Sequence, residues 1–266
     1  MSQDNNKFKK IFSNPFIFIG IIAIIASLIL SLSSESFGER IKANKKLDKM
    51  KNVLMCRYLE NISEIEDSLS SSEWVVNKFN AIIETRLFDL DQSRILNNDE
   101  FNFVDLIWKE NKAEGSLYYY FKENEAKKYL PIFYVKDGQD YLGYIISISG
   151  KGLWSTLYGY FAVESDGMTV KGITFYKHGE TPGLGGEVDK PWFQQNFIGK
   201  RFVDENDQLL GIHVIKGKVQ SDDQEAYHKV DGISGATMTG KGLEYFLKDD
   251  LVKYEPFFKQ VRGRQS

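Results

Sequence analysis

Cysteine occurs once in the 266 residues, at Cys56, and histidine three times, at His178, His213 and His228. One cysteine excludes an internal disulfide, a cysteine-ligated iron–sulfur cluster and a zinc ribbon. Three scattered histidines leave little for a protein-ligated metal, so any redox chemistry needs an organic cofactor. An excess of one charge is also missing. The 34 Lys and Arg against 37 Asp and Glu give a formal net charge of −3, with no basic domain of the kind that nucleic acids select. Proline is sparse, five in all, and none falls between Pro15 and Pro131. What is present is 42% apolar and 14% aromatic residues, enough for a sizeable core in one or two domains. Disorder of the whole chain is thereby excluded.

Pro15 to Leu32 is an 18-residue stretch without a charge, and twelve of its residues are Ile, Leu or Phe. Those twelve contribute roughly −4 to −7 kcal/mol to membrane insertion. As a helix the stretch is about 27 Å long, enough to span a bilayer core with little tilt. It is too long for a signal-peptide core, and Ser31-Leu32-Ser33 is a poor cleavage site. An uncleaved anchor is expected. Lys7, Lys9 and Lys10 precede it, and Arg40, Lys42, Lys45, Lys46, Lys49 and Lys51 follow it, mixed with Glu35, Glu39 and Asp48. A simple count places the downstream side in the cytoplasm. The interspersed acids make that count indecisive.

Residues from about 36 to 130 read as mainly helical. Leu47, Met50 and Leu54 recur at helical spacing. Trp74, Phe79, Ile82, Ile83, Arg86 and Leu87 suggest a second helix, with Ser70 and Glu73 as its capping box. From Leu130 the texture changes. Ile132–Val135, Tyr141–Ser149, Leu157–Val163 and Val170–Tyr176 are rich in β-branched and aromatic residues, with Asp137-Gly138 and Asp166-Gly167 between such runs. Leu209–Ile215 reads as another strand. A last helix is expected from near Met238 through Leu243, Phe246, Leu247 and Leu251. The fold class is α+β, an antiparallel sheet flanked by helices and preceded by one transmembrane helix and a helical spacer.

The chemistry is expected in Asp231-Gly232-Ile233-Ser234-Gly235-Ala236-Thr237-Met238-Thr239-Gly240, where small residues gather just before the last helix. Gly232, Gly235 and Ala236 allow close backbone approach, and Thr237 and Thr239 offer hydroxyls. A helix N-terminus presents free amides and partial positive charge to a phosphate. Pattern alone leaves a second reading open, a loop ending in an ordinary Ser or Thr cap. Elsewhere, His178 and Glu180 have no third ligand at metal spacing. Gly183-Leu184-Gly185-Gly186-Glu187 lacks the spacing of a dinucleotide fingerprint, so NADH binding by this chain is not expected. Ser155 and Ser234 have no His partner for nucleophilic catalysis, and no catalytic residue is assigned. Cys56 is expected to be a packed or exposed free thiol.

Asp231-Gly-Ile-Ser-Gly-Ala-Thr237 resembles the flavinylation motif of the C-subunit family of sodium-translocating NADH:quinone reductases. Gly150-Lys-Gly-Leu-Trp154-Ser155 and His178-Gly-Glu180-Thr181-Pro-Gly183-Leu184-Gly-Gly-Glu187 also resemble it. The resemblance covers most of the chain and is strongest from about 141 to 248. It implies FMN joined through its phosphate to the hydroxyl of Thr237, moved there from FAD by a dedicated flavin transferase. It implies an electron carrier among the other subunits of a six-subunit membrane complex that oxidises NADH, reduces quinone and exports sodium. The implied plan is a cytoplasmic tail at 1–14, a transmembrane helix at 15–32, a mainly helical spacer at 33–130 and an FMN-binding domain at 131–266. The N-terminus would lie inside the bacterial inner membrane and the flavin domain outside, against the charge count. Around Thr237, Ser234, Gly235, Ala236, Thr239 and Asp231 would form the attachment loop, with Asp231 orienting it. Lys216 or Lys241 would add a cation. Trp154 and Leu184 would form the ring slot, and Glu180, Thr181 and Gly183 its edge contacts. Two rivals remain: the homologous flavin subunit of the ferredoxin-linked Rnf complex, and a membrane-tethered binding module without a cofactor.

Overall fold

The computed structural model describes residues 14–96, 106–111, 116–121 and 124–263. The expected tail at 1–14, with Lys7, Lys9 and Lys10, lies outside the described residues except for Asn14. The chain divides into two units, one ending at Asp48 and the other beginning at Lys49.

Helix α1 runs without interruption over Pro15–Arg57. Asn14 starts it, its side-chain oxygen accepting the Phe16 N–H at 3.0 Å, and Pro15 follows in the first turn, where its missing donor costs nothing. None of the residues Pro15–Leu32 is buried. Phe16, Ile19, Ile24, Leu30 and Leu32 are each more than half exposed. A core helix would hide these side chains, so the length and apolar surface suit a membrane span.

The second unit is built on an eight-stranded sheet in which every pairing is antiparallel. Its strands are β1 (Ile83–Asp89), β2 (Arg94–Ile95), β3 (Leu106–Asn111), β4 (Ser116–Phe121), β5 (Asn124–Asp137), β6 (Asp140–Lys151), β7 (Thr156–Glu164) and β8 (Val170–Lys177). The order is β2-β1-β5-β6-β7-β8, with β4 also pairing β5 and β3 pairing β4. Gly138 and Gly167 take positive φ, 62° and 69°, in the β5–β6 and β7–β8 turns, as the two Asp-Gly pairs imply. A two-stranded parallel pair, β9 (His213–Val214) and β10 (Lys229–Val230), precedes helix α3 (Thr237–Arg262).

Residues alternate between two buried faces of the sheet. On one, Ile132, Tyr134, Ile146 and Phe161 share a core with Leu243, Phe246, Leu247, Leu251, Phe257 and Phe258 of α3. Each such side chain contributes about 1.5–3 kcal/mol by leaving water. Glycine brings α3 close: a side chain at Gly150 would collide with Phe246, and one at Gly242 with the Lys151 carbonyl. On the other face, Phe79 of helix α2 (Ser72–Ile82) meets Phe133 edge-on at 6.3 Å, and Cys56 at the end of α1 donates its thiol to the Tyr160 carbonyl at 3.3 Å. Burial pushes the Cys56 thiol up to about 12, despite hydrogen bonds at Thr174 and Ala162 that favour the thiolate. Cys56 is therefore packed and chemically quiet.

Four expectations need correction. The segment 33–130 is helical only as far as Ile82, and β1 to β4 and the first part of β5 fall among its described residues beyond that point. The helix expected through Arg86 and Leu87 stops at Ile82. Ile83–Asp89 instead pairs residue for residue with β5, from Ile83 opposite Val135 to Asp89 opposite Tyr129, and this partner overrides the local helical spacing. The α2 cap is Ser71, whose hydroxyl accepts the Trp74 N–H, rather than Ser70 in a box with Glu73. The strand expected at 209–215 shrinks to His213–Val214, because Gly211 takes φ +87° and both Leu210 and Gly211 donate to the Phe202 carbonyl.

Asp250 ties α3 to the part of β6 that outruns β5, accepting the Ser149 N–H at 2.8 Å and pairing with Lys253 at 2.8 Å. Burial raises its carboxyl from 3.8 to about 6, outweighing Lys253. A raised folded pKa gives stability that is fully present below the unfolded value and is lost as pH climbs through about 6. Asp250→Asn keeps an acceptor for Ser149 and removes the buried charge. Urea unfolding should show the variant gaining about 1–3 kcal/mol on the wild type between about pH 4 and about pH 8. An unchanged difference across that range would show that burial does not govern Asp250.

Candidate functional site

The start of α3 is the centre of the site. Its N-cap position is Ala236, which has no side chain to accept an amide, and its first turn holds no acid. The alternative of an ordinary Ser or Thr cap therefore fails, and the first amides of this 26-residue helix have no side-chain cap at Ala236. Thr237 is the first helical residue and is exposed. Its hydroxyl has no protein partner among the described residues. Gly235 takes φ +74° in the preceding turn, and Ala236 N–H closes that turn on the Ile233 carbonyl at 3.1 Å.

Beside this turn lies a cleft of about 530 Å³. One wall is Asp231–Thr237, the other is Val214–Lys218, and Trp192 and Asn196 stand at its edge. The walls are tied together. Gly232 N–H donates to the Gly217 carbonyl at 2.8 Å, and a side chain at Gly232 would strike the Ile215 carbonyl. Asp231 accepts the Val219 N–H at 2.8 Å, a further tie between its loop and the segment after Lys218. Glu244 of α3 holds the outer wall, accepting the Val214 N–H at 3.1 Å and meeting His213 Nδ1 at 2.8 Å. Trp192 is held by its indole N–H on Glu187 Oε2 at 3.1 Å.

On the other side of the α3 start, Glu180 is buried, 5% exposed, yet accepts five hydrogen bonds. Oε1 takes the N–H groups of Trp154 and Ser155, both at 2.9 Å, and the Ser155 hydroxyl at 3.2 Å. Oε2 takes the Leu153 N–H at 3.3 Å and the Thr239 hydroxyl at 2.7 Å. Burial works to raise this carboxyl, but the bonds from Thr239, Trp154, Ser155 and Leu153 outweigh it and hold it below the ordinary carboxylate range. His178 Nδ1 accepts the Glu180 N–H at 3.3 Å, which leaves its proton on Nε2, facing Asp189 at 3.4 Å. No metal-binding group of three ligands occurs among the described residues.

The glycine run after Glu180 leaves room for this arrangement. A methyl group at Gly185 would come within 2.5 Å of Thr239 Oγ1 and 2.7 Å of Glu180 Oε2. The Thr181 carbonyl accepts from Leu184 at 3.1 Å and Gly186 at 2.9 Å around Gly183, whose φ is +74°. That turn puts the Leu184 side chain against Gly235, 2.8 Å from where a Cβ would stand.

Of the residues expected from sequence, Ser234, Gly235, Ala236, Thr237, Asp231 and Lys216 line the cleft. Trp154, Glu180, Thr181, Gly183, Leu184 and Thr239 do not. Trp154 is 73% exposed and Leu184 is 43% exposed. Glu180 is not free to contact a ring edge, because five donors already fill its two oxygens. Thr239 likewise spends its hydroxyl on Glu180. Lys241 is exposed and outside the cleft lining. Sequence reasoning missed Trp192, Asn196, Lys218 and Glu244. None lies in a recognisable motif, and only the fold brings Trp192, Asn196 and Lys218 into one cleft with Thr237.

Residues 152–251 match the model of the FMN-binding domain family. The chain is 32% identical to the C subunit of the Na(+)-translocating NADH-quinone reductase of Vibrio campbellii, over 98% of each chain. It is 30% identical to the equivalently named protein of Yersinia pestis, over 98% of this chain and 97% of the other. Among solved structures, NqrC of Shewanella oneidensis aligns with TM-score 0.59 and 29% identity, covering 80% of this chain and 98% of that one. The C subunit of the Na(+)-translocating NADH-quinone reductase of Parabacteroides distasonis aligns with TM-score 0.59 and 30% identity, covering 82% and 94%.

Gly185→Ala should lower stability by about 1–3 kcal/mol, because neither Thr239 nor Glu180 can yield without breaking their bond. The wild-type bond itself weakens in acid. A depressed folded pKa gives stability that is present above the ordinary carboxylate value and is lost as pH falls through the lowered one. Urea midpoints across an acid series should therefore converge for wild type and variant at the lowest pH. An unaltered midpoint at neutral pH would show that the pocket around Glu180 is looser than the geometry requires.

Proposed function

The chain belongs to the C-subunit family of Na(+)-translocating NADH-quinone reductases, and from that membership we propose that it is the complex's membrane-anchored electron carrier, with FMN joined covalently to Thr237. The single observation that carries this reading is the uncapped start of α3 with an exposed threonine as its first residue.

The residues present fit the group. A phosphodiester to Thr237 keeps one negative charge, which the free amides of α3 stabilise by about 0.3–1 kcal/mol or more. Lys216 brings a cation to the same cleft. The exposed faces of Leu184 and Trp154 offer apolar contact of the kind a ring system needs. Attachment transfers the FMN half of FAD to the threonine oxygen and releases AMP, the work of a flavin transferase. Bound there, the flavin supplies reversible electron transfer between neighbouring redox centres of the complex. The chain's own part is to hold the attachment loop, stabilise the phosphate charge, shape the ring's surroundings and anchor the domain. Full-length similarity to the C subunits favours this complex over its ferredoxin-linked relative. NADH:quinone rather than NADH:ferredoxin activity of the purified assembly is the expected outcome.

Expression with and without a flavin transferase, followed by denaturing gel fluorescence, tests the attachment. A fluorescent band that requires the transferase, disappears in Thr237→Val and adds the mass of one FMN less one water is expected. A dark wild-type band, beside a labelled control substrate, would instead support a cofactor-free binding module. The topology has its own test, because the flavin domain is expected outside the cytoplasmic membrane with residues 1–14 inside. Protease added to intact spheroplasts should digest the domain, and its protection would overturn this orientation.

A further inference from the structure

We propose that Glu180 is a positioning residue for the flavin, acting through Trp154 without touching the cofactor. The inference rests on the reading of Thr237 as the flavin-bearing residue and adds a role for a buried carboxylate beside it.

The starting point is an oddity of burial. Trp154 is 73% exposed, and its neighbour Leu153 is 48% exposed. A surface loop with no task has no need to be rigid, and large apolar side chains are ordinarily turned inward. Here the loop is pinned at three consecutive backbone N–H groups, those of Leu153, Trp154 and Ser155. All three point at one carboxylate that is withdrawn from water. The same carboxylate grips Thr239, two residues beyond Thr237 on the same helix. The path from the Trp154 backbone to α3 therefore passes through two hydrogen bonds and a single side chain.

Leu184 is fixed by the same residues. Its backbone is held in the Thr181 turn, which follows Glu180 directly, and its side chain rests on Gly235. Trp154, Leu184 and Thr237 thus hang on one bracket. The bracket sets how far an indole stands from a ring tethered at Thr237. Position matters because an aromatic side chain gains by contact only at the correct offset.

Glu180→Gln breaks the bracket on one side. An amide has one oxygen for the donors and presents an NH₂ group to the rest, so some of the five bonds must open. The loop then carries Trp154 away while Thr237 remains intact.

The test uses the full-length, flavinylated chain in detergent. Wild type, Glu180→Gln, Trp154→Ala and the double variant are compared by native flavin emission and flavin midpoint potential. Denatured gel fluorescence confirms equal labelling. An indole in contact with a flavin quenches its emission. Glu180→Gln is expected to raise native emission toward the level of Trp154→Ala. The double variant is expected to match Trp154→Ala alone, because two residues acting through one contact are not additive. Thr239→Val, which removes one donor and nearly keeps the volume, should give a smaller rise with the same non-additivity, and it serves if Glu180→Gln does not fold. A fall in thermal stability with unchanged emission and potential would make Glu180 merely structural and overturn the proposal. So would additive increases. A wild-type chain that carries no flavin under transferase defeats the flavin reading itself, a result distinct from either of these.

Discussion

A carboxylate taken out of water must either lose its charge or find donors for its lone pairs. Glu180 takes the second course, with donors from the Leu153–Ser155 loop and from α3. Much of the surrounding sequence follows from that requirement. Ser155 Oγ accepts the Gly179 N–H at 2.7 Å and donates its own hydroxyl to Glu180. Gly152 and Gly185 lack side chains because the carboxylate occupies the space where a Cβ would go. Thr239 is buried within the first turn of a helix because its hydroxyl completes the set. A run that looks like a glycine-rich ligand loop is, in large part, the housing of one buried charge.

The helix that Glu180 grips sets the opposite condition at its own start. Helix α3 is bound to the eight-stranded sheet by a row of apolar side chains and by Asp250, and to β9 by Glu244, so it cannot shift to satisfy its terminal amides. Ala236 offers them nothing, and no acid stands in the first turn. Serine occurs two residues earlier, at Ser234, yet the turn through Gly235 leaves it outside the cap. The chain thus satisfies a buried charge with five donors and leaves a set of donors nearby with no side-chain acceptor. An anion at the α3 start resolves that contrast, which is why the proposed phosphate fits there.

The later half of the fold was legible because it obeys local rules. The runs from Ile132 to Tyr176 are rich in β-branched and aromatic residues, the two Asp-Gly turns supply positive φ, and α3 carries its apolar stripe at 3 and 4 spacing. Ile83–Asp89 was not legible, because its spacing also fits a helix and only its seven-residue pairing with β5 decides otherwise. At the site, the loop before α3 stood out by its small residues ahead of a helix and by family resemblance. The burial of Glu180 was not. An acid within a Gly- and Pro-rich segment reads as solvated, and the five donors that take it inward come from positions up to 59 residues away. Trp192 and Glu244 were hidden for the same reason.

The two threonines of the motif carry the last step. Thr237 and Thr239 are chemically identical and two residues apart, which on a helix turns them to different sides. Thr239 faces inward and gives its hydroxyl to Glu180 at 2.7 Å, so it is neither accessible nor free to act as a nucleophile. Thr237 faces the cleft, exposed, at the point where the helix amides are unmet. Of the two threonines, a transferase that reads the loop would meet only the Thr237 hydroxyl, with Asp231 and Gly232 fixing the approach. On the proposed reading, preference for Thr237 over Thr239 needs no special reactivity. It would follow from the Thr239 hydroxyl's being committed to Glu180, so that attachment and ring environment would depend on the same buried carboxylate.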